Sequence, residues 1–316
     1  MKADKNKIIV WGDGGICSQI FFYTMALYLR KKGYKIQFDL NFFKNYAKDC
    51  DGIFARNFDL KKAFPDFVIE EASDKEINYY RKHYKKNHND VYRFQAPLYI
   101  DGYPDVMDIL LKERQFFIDH FHPVDIDTCQ DVLEDILKHN SCAIHVRRGD
   151  LSKNKGVYGN PCDIDYFLKA IQLLSLYEEK VKFYFFSDEL DWVEKNIIPV
   201  LPQNTDYRVC NQNGSDKGYL DLYLVSKCHH IIASKGSFGA FARILSNSDG
   251  YFIGTMKSHY LSEHFDKCIF LSLKKEKQFI YTENFIKHLK LKMFLLKCIP
   301  VPFLKKKIKN KLLKEI

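Results

Sequence analysis

The chain has no apolar run approaching the roughly 20 residues that cross a bilayer, and its lysine-rich start, MKADKNK, leads into a short apolar strand rather than a signal-peptide core. Both absences argue against a spanning segment or a secretory leader and make the cytoplasm the expected compartment. No CxxC pair occurs among the nine cysteines, which are odd in number and scattered at 17, 50, 129, 142, 162, 210, 228, 268 and 298. They read as reduced packing residues rather than a disulfide framework or a thiolate metal site. Internal repeats and low-complexity linkers are missing too. With 46% hydrophobic and 28% charged residues over 316 positions, the composition is globular and sufficient for two domains of ordinary size.

Most of the chain also lacks net charge. Residues 287–316 carry ten lysines and one glutamate, which accounts for the whole formal charge of +9. The remaining body is formally neutral and has no nucleic-acid signature. Within the tail Leu304, Ile308, Leu312 and Ile316 recur every four residues, giving an apolar stripe beside lysines. This pattern describes a basic amphipathic C-terminal helix suited to an anionic membrane surface, with a peripheral position on the inner face of the cell membrane as the expectation. A helix packed on the body with its lysines in solvent is the alternative.

Strands alternate with helices, the pattern of parallel α/β layers. KIIVW at 7–11 opens the series, a glycine loop follows, a helix runs to Gly33, and YKIQFD forms a second strand. Residues 41–125 are aromatic-rich and aperiodic, with short helices and a turn at GYPD. From 141 the alternation is clear: CAIHV, KFYFFS, YRVC, HHIIAS and GYFIGT read as strands with helices between them. Two Rossmann-like domains facing a cleft, with a boundary near 125–140, are the expected architecture.

Ligands of such sheets bind where strands give way to helices, and the chemical candidates cluster at those ends. His145, Arg147, Arg148 and Asp150 follow CAIHV; Ser187, Asp188 and Glu189 follow KFYFF; Ser234, Lys235, Gly236 and Ser237 follow HHIIA; Asp13, Gly14 and Gly15 follow KIIVW. An arginine's planar fork offers two N–H donors to two phosphate oxygens. Of the adjacent pair, one is expected to grip a phosphate and the other to hold the loop, with Asp150 as its partner. Backbone N–H groups at 236 and 237, opening a helix, would add a second phosphate contact. Together these describe a diphosphate pocket.

The segment HVRRGD at 145–150 resembles the H-x-R-R-x-D motif of the α-1,2-fucosyltransferases of glycosyltransferase family 11. FYFFSDELDWVEKNI is similar to that family's F-x-F-S-D-D block, and DLYLVSKCHHIIASKGSFGAFARIL to its block ending S-N-S-x-F-S-W-W. GGICSQIFFYTMALYL resembles its G-G-x-G-N-Q-x-F opening, and LYIDGYPDVMDIL its L-x-G-Y-x-Q-S segment. The matches keep the family's order across residues 10–250. Departures are Cys17-Ser18 for Gly-Asn, Lys235-Gly236 for Asn-Ser, and Gly239-Ala240-Phe241 for a serine and paired tryptophans.

The resemblance implies a GT-B-like fold: an acceptor-binding half over 1–130, a GDP-fucose-binding half over 131–286, and the tail over 287–316. It implies that Arg147 holds the donor diphosphate, with His145, Arg148, Asp150, Ser234, Ser237 and Phe238 in the donor site and Asp188 as a donor-site carboxylate. The implied reaction is inverting fucosyl transfer from GDP-fucose to a galactose-containing glycan of bacterial surface polysaccharide, or to a lipid-linked glycan, without a cofactor or metal. Asp13 is the candidate general base, with a turn-forming role beside Gly14-Gly15 as its alternative; His145 reads as a hydrogen-bonding residue at the strand end.

The WGDGGICS loop mimics a dinucleotide fingerprint, but Cys17 stands at the third glycine. The D-x-D pairs Asp49-Asp51, Asp125-Asp127 and Asp163-Asp165 are too common to signify a metal, and the last reads as a helix N-cap region. His229 and His230 alternate across a strand, which does not offer both rings to one ion. An inactive GDP-sugar-binding or scaffold protein of this fold, or a transferase using another nucleotide sugar, remains as the alternative function. Tyr99, Tyr103 and Phe94 are able to stack on sugars and read as core.

Overall fold

The computed structural model describes residues 3–45, 56–86, 90–153, 160–213, 216–271 and 280–281. The tail at 287–316, with its expected helix, lies outside them. No helix among the described residues is long and apolar enough to cross a membrane. The chain forms two compact units. The first comprises residues 1–138, 210–227 and 241–247, and the second 139–209, 228–240 and 248–316. Residues 210–227 and 241–247, which follow in sequence from the second half, thus pack with the first.

In the first unit β1 (Lys7–Trp11) lies between β2 (Lys35–Asp39) and β3 (Leu98–Ile100), all parallel. Ile8, Ile9 and Val10 are fully buried, as expected of a parallel strand covered on both faces. Helix Ile16–Lys31 buries Ile20, Phe22, Met25 and Leu29. It stops at Gly33 because Gly33 N–H returns to Arg30 O at 2.8 Å and Tyr34 N–H to Leu29 O at 3.2 Å, satisfying carbonyls of the last turn.

The aperiodic stretch after β2 is held by ring stacking rather than by a regular apolar face. Tyr23 stacks on Phe67 at 4.0 Å, Phe67 on Phe64 at 4.5 Å, and Phe64 on Phe121 at 4.8 Å. Helix Asp74–Tyr84 starts with a capping box between Ser73 and Glu76. Glu76 also pairs with Lys7 at 2.6 Å, and these bonds hold its carboxyl down to about 2. Gln19, fully buried, donates to Gly14 O (3.1 Å) and Asn57 O (2.7 Å) and accepts from Asp59 and Leu60 N–H, both at 2.8 Å. One amide therefore ties the loop after β1 to the start of helix Leu60–Ala63.

Among the described residues the second unit has seven strands: β4 (Asn140–Val146), β5 (Val181–Ser187), β6 (Asp206–Val209), β7 (His230–Ala233), β8 (Phe252–Thr255), β9 (Cys268–Leu271) and β10 (Ile280–Tyr281). Their order is β10-β9-β8-β7-β4-β5-β6, parallel except for the terminal β10–β9 pair. From β4 the chain fills one side through β5 and β6, then returns to β4's other edge and continues outward through β7, β8 and β9. That is the doubly wound order, whose switch point falls between β4 and β7. The mixed α/β architecture with parallel sheets agrees with the sequence expectation. Asp163 caps helix Ile164–Ser175 by accepting from Tyr166 N–H, which accounts for the third D-x-D.

Helix Phe238–Ile244 approaches β7 closely: a β-carbon on Gly239 would fall 2.3 Å from Ala233 Cβ. The spacing explains why glycine stands where the family motif has serine. Alanine at 239 gains about 1 kcal/mol of helix propensity but overpacks the contact by about 3 kcal/mol. Gly239→Ala is accordingly expected to lower the thermal midpoint by about 5 °C, read by calorimetry.

Candidate active site

β4, β5 and β7 end side by side, with His145 in register with Phe186 on one flank and Ala233 on the other. Beyond that row the loops are tied together by short polar links. Ser234, 2% exposed, donates its N–H to His145 O at 3.0 Å and accepts Arg147 N–H on its Oγ at 2.8 Å. Tyr166 donates its hydroxyl to Ala233 O at 2.6 Å from beneath. The exit paths of β4 and β7 are therefore fixed at the switch point.

The two arginines have separate surroundings. Arg148 donates its backbone N–H to Asp188 Oδ1 at 2.8 Å, and its guanidinium lies 3.7 Å over the ring of Trp192. Its Nε is 3.4 Å from Glu189 Oε2, an ion pair with the arginine side chain only 16% exposed. Glu189 is itself held, with its N–H on Ser187 Oγ at 2.9 Å and Ser152 Oγ donating to its Oε1 at 3.3 Å. A cation over an indole away from solvent is worth about 2 kcal/mol. Arg148 is thus tied to the loop after β5 through Glu189 and Trp192. Asp150 lies in helix Gly149–Lys153, and its side chain is outside the described residues.

Arg147 runs over the other loop: a β-carbon on Gly236 would stand 3.4 Å from its Cδ. The backbone at 236 forms a seat for the arginine's stem. Lys235, at the family's asparagine position, donates to the carbonyl of Asn160. Ser237 is exposed at the start of helix Phe238–Ile244, which has only seven residues and a correspondingly short dipole.

His145 differs from the hydrogen-bonding residue expected. Its ring is buried and stacks on Phe238 at 4.5 Å and 14°, while its Nδ1 makes no hydrogen bond among the described residues. Burial, with the Arg147 guanidinium nearby, pushes its pKa from 6.5 down to about 3. The imidazole is therefore neutral near pH 7, leaving the positive charge at this edge to the arginines.

Of the expected donor-site residues, the structure brings His145, Arg147, Arg148, Asp188, Ser234 and Phe238 together at one sheet edge. Asp13 sits at the carboxyl end of β1 in the first unit, where its Oδ1 accepts a hydrogen bond from Tyr103. Sequence reasoning missed Trp192, whose position one turn after Asp188 at the start of helix Leu190–Asn196 was the available signal. His230, one of the doubted histidine pair, is occupied by Asn140 Oδ1 (3.0 Å) and Tyr251 N–H (2.9 Å).

The buried imidazole makes stability depend on pH. An unfolded chain binds a proton near pH 6.5 that the folded chain refuses until about pH 3. Stability is complete above that window and falls as pH drops through it, by up to about 1.4 kcal/mol per unit. Urea unfolding from pH 7 to 4 is expected to show a shallower decline for His145→Gln than for the wild type.

A family model described as glycosyl transferase family 11 matches residues 42–281, from the first unit through all strands of the second. Among curated proteins, the chain is similar to an Escherichia coli alpha-1,2-colitosyltransferase, 24% identical over 267 residues, covering 75% of this chain and 86% of that one. It is also similar to the E. coli O-antigen biosynthesis glycosyltransferase WbnK, 23% identical over 279 residues, with 71% and 85% covered. Galactoside alpha-(1,2)-fucosyltransferase 1 of Aotus azarae matches over 115 residues at 28% identity, covering 35% of this chain and 30% of that protein. With three quarters of its length matched by the family model, and that span containing the whole arginine edge, the chain belongs to glycosyl transferase family 11 and is a glycosyltransferase.

Proposed function

We propose that the chain transfers L-fucose from GDP-fucose to the 2-hydroxyl of a galactose-containing glycan, with inversion at the fucose C1. The observation that carries this reading is Arg147, seated on Gly236 at the switch point of a doubly wound sheet. Its companion arginine is held by Trp192 and Glu189. In the reaction the acceptor oxygen forms a bond to C1 as the bond from C1 to the β-phosphate oxygen breaks. Arg147 meets the charge that develops on the departing diphosphate, worth roughly 3 to 4 kcal/mol for a well-placed donor. The hydroxyl proton passes to a base, for which Asp13 is the nominee. His145, Ser234, Asp188 and Phe238 shape the donor loops, with Ser237 and Asp150 assigned to the same site. With arginine meeting the leaving charge, transfer is expected to proceed in EDTA.

A second donor is favoured by the similarity to a colitosyltransferase. Colitose is fucose without its 3-hydroxyl, so the same diphosphate site serves either sugar. The WbnK similarity supports an acceptor in bacterial surface polysaccharide. Under this reading the basic tail at 287–316 holds the enzyme to an anionic membrane near lipid-linked acceptors. Removal of 300–316 should weaken sedimentation with anionic liposomes and spare transfer to soluble galactosides.

The test pairs GDP-fucose, GDP-colitose, GDP-mannose and UDP-galactose with galactosides in EDTA, reading nucleotide release and product mass. A product heavier by one deoxyhexose from GDP-fucose supports the reading. GDP binding without turnover of any donor would favour the inactive scaffold. Arg147→Lys is expected to lower kcat/KM roughly 100-fold, since an ammonium keeps the charge without the fork; wild-type turnover would refute the diphosphate role.

A further inference from the structure

The carboxyl edge of the first unit's sheet carries an aromatic ring that the core does not use. Of the three aromatics considered as sugar-stacking candidates, Tyr99 and Phe94 are buried, at 0% and 5% exposure, whereas Tyr103 is 56% exposed. Tyr103 is nevertheless held in place. Its hydroxyl donates to Asp13 Oδ1, and its ring leans on Phe21 at 5.8 Å and 54°.

Two glycine-dependent turns produce this meeting. Gly14 has φ +72°, and a β-carbon there would fall 2.7 Å from Ser18 Oγ and 3.4 Å from the Tyr103 hydroxyl. Gly102 has φ +133°, a backbone that residues with a side chain rarely adopt. Each glycine adjoins one partner of the hydrogen-bonded pair, so the loops after β1 and β3 turn toward each other to join Asp13 to Tyr103. Such an arrangement does little for stability, since the ring stays in water. It does present a ring face beside a carboxylate, and among the described residues the second oxygen of that carboxylate, Oδ2, carries no hydrogen bond.

Resting on the transferase reading above, we infer that Tyr103 and Asp13 form the binding platform for the acceptor's galactopyranose. A β-galactoside shows one apolar face of C–H groups at positions 3, 4 and 5, complementary to the negative face of a tyrosine ring. Asp13 Oδ2 accepts a hydrogen bond from a hydroxyl at the edge of the same sugar. Tyr103 is a positioning residue as well as a stacking surface: by occupying Oδ1 it determines which carboxylate oxygen meets the sugar.

Saturation-transfer NMR of methyl β-D-galactoside with the full chain in the presence of GDP tests this directly. In the wild type, saturation is expected to concentrate on H3, H4 and H5. Tyr103→Leu should weaken galactoside binding up to about tenfold, while Tyr103→Phe keeps the ring and the saturation pattern. Thermal midpoints of both variants should match the wild type, which separates binding from folding. Under turnover, Tyr103→Phe should lower kcat with the acceptor KM held within about twofold; an unchanged kcat would overturn the positioning role. No galactoside saturation, or the same pattern and affinity in Tyr103→Leu, would overturn the platform even if GDP binds. Galactoside binding through Tyr103 with no GDP binding would leave the platform standing and reject the donor reading instead.

Discussion

The carboxyl edge of the second unit's sheet depends on Ser234. Its backbone donor and its hydroxyl engage residues 145 and 147, so a single buried serine bridges β4 to β7 across the switch point and leaves the chain after Val146 with one direction to take. A second fastening of the loop carrying both arginines comes from the β5 side, where Asp188 Oδ1 accepts the Arg148 N–H. Each bond is worth about 1 kcal/mol in stability, a small sum, yet the placement of Arg147 rests on them.

Adjacent arginines look redundant in a sequence, and the structure shows why they are not. Arg148 is committed to the loop itself, held by an indole face and by the carboxylate of Glu189, which accepts from Ser152 Oγ while the Glu189 backbone N–H donates to Ser187 Oγ. Arg147 lies over the backbone at Gly236. The neutral state of His145 follows from the same crowding: beside a guanidinium and under a phenyl ring, an imidazole is cheaper to bury uncharged. Positive charge is thereby concentrated on groups that cannot lose it near neutral pH.

Much of this was legible because β4, β5 and β7 are buried parallel strands with continuous apolar sequence, and their polar ends stand out against it. β3 was not legible, being three residues long and embedded in aromatic sequence, and neither was β9, four residues at Cys268–Leu271. The stretch from 41 to 125 resisted reading for a physical reason: stacked rings such as Tyr23, Phe67 and Phe64 impose no period on a sequence. The capping box at Ser73 and Glu76 has a sequence signature, serine with glutamate three residues on. Trp192 could be seen but not assigned, since its role exists only in relation to Arg148, 44 positions earlier.

Gln19 bears on the loop after β1, which runs into the helix where Cys17 and Ser18 depart from the family's opening motif. Its buried amide binds backbone groups alone, at Gly14, Asn57, Asp59 and Leu60. A fastening that reads only main chain is indifferent to the side chains it fastens. Gly14 excepted, since its turn needs φ +72°, side chains along that loop can change while its path is preserved, much as a lock accepts new tumblers without a new case.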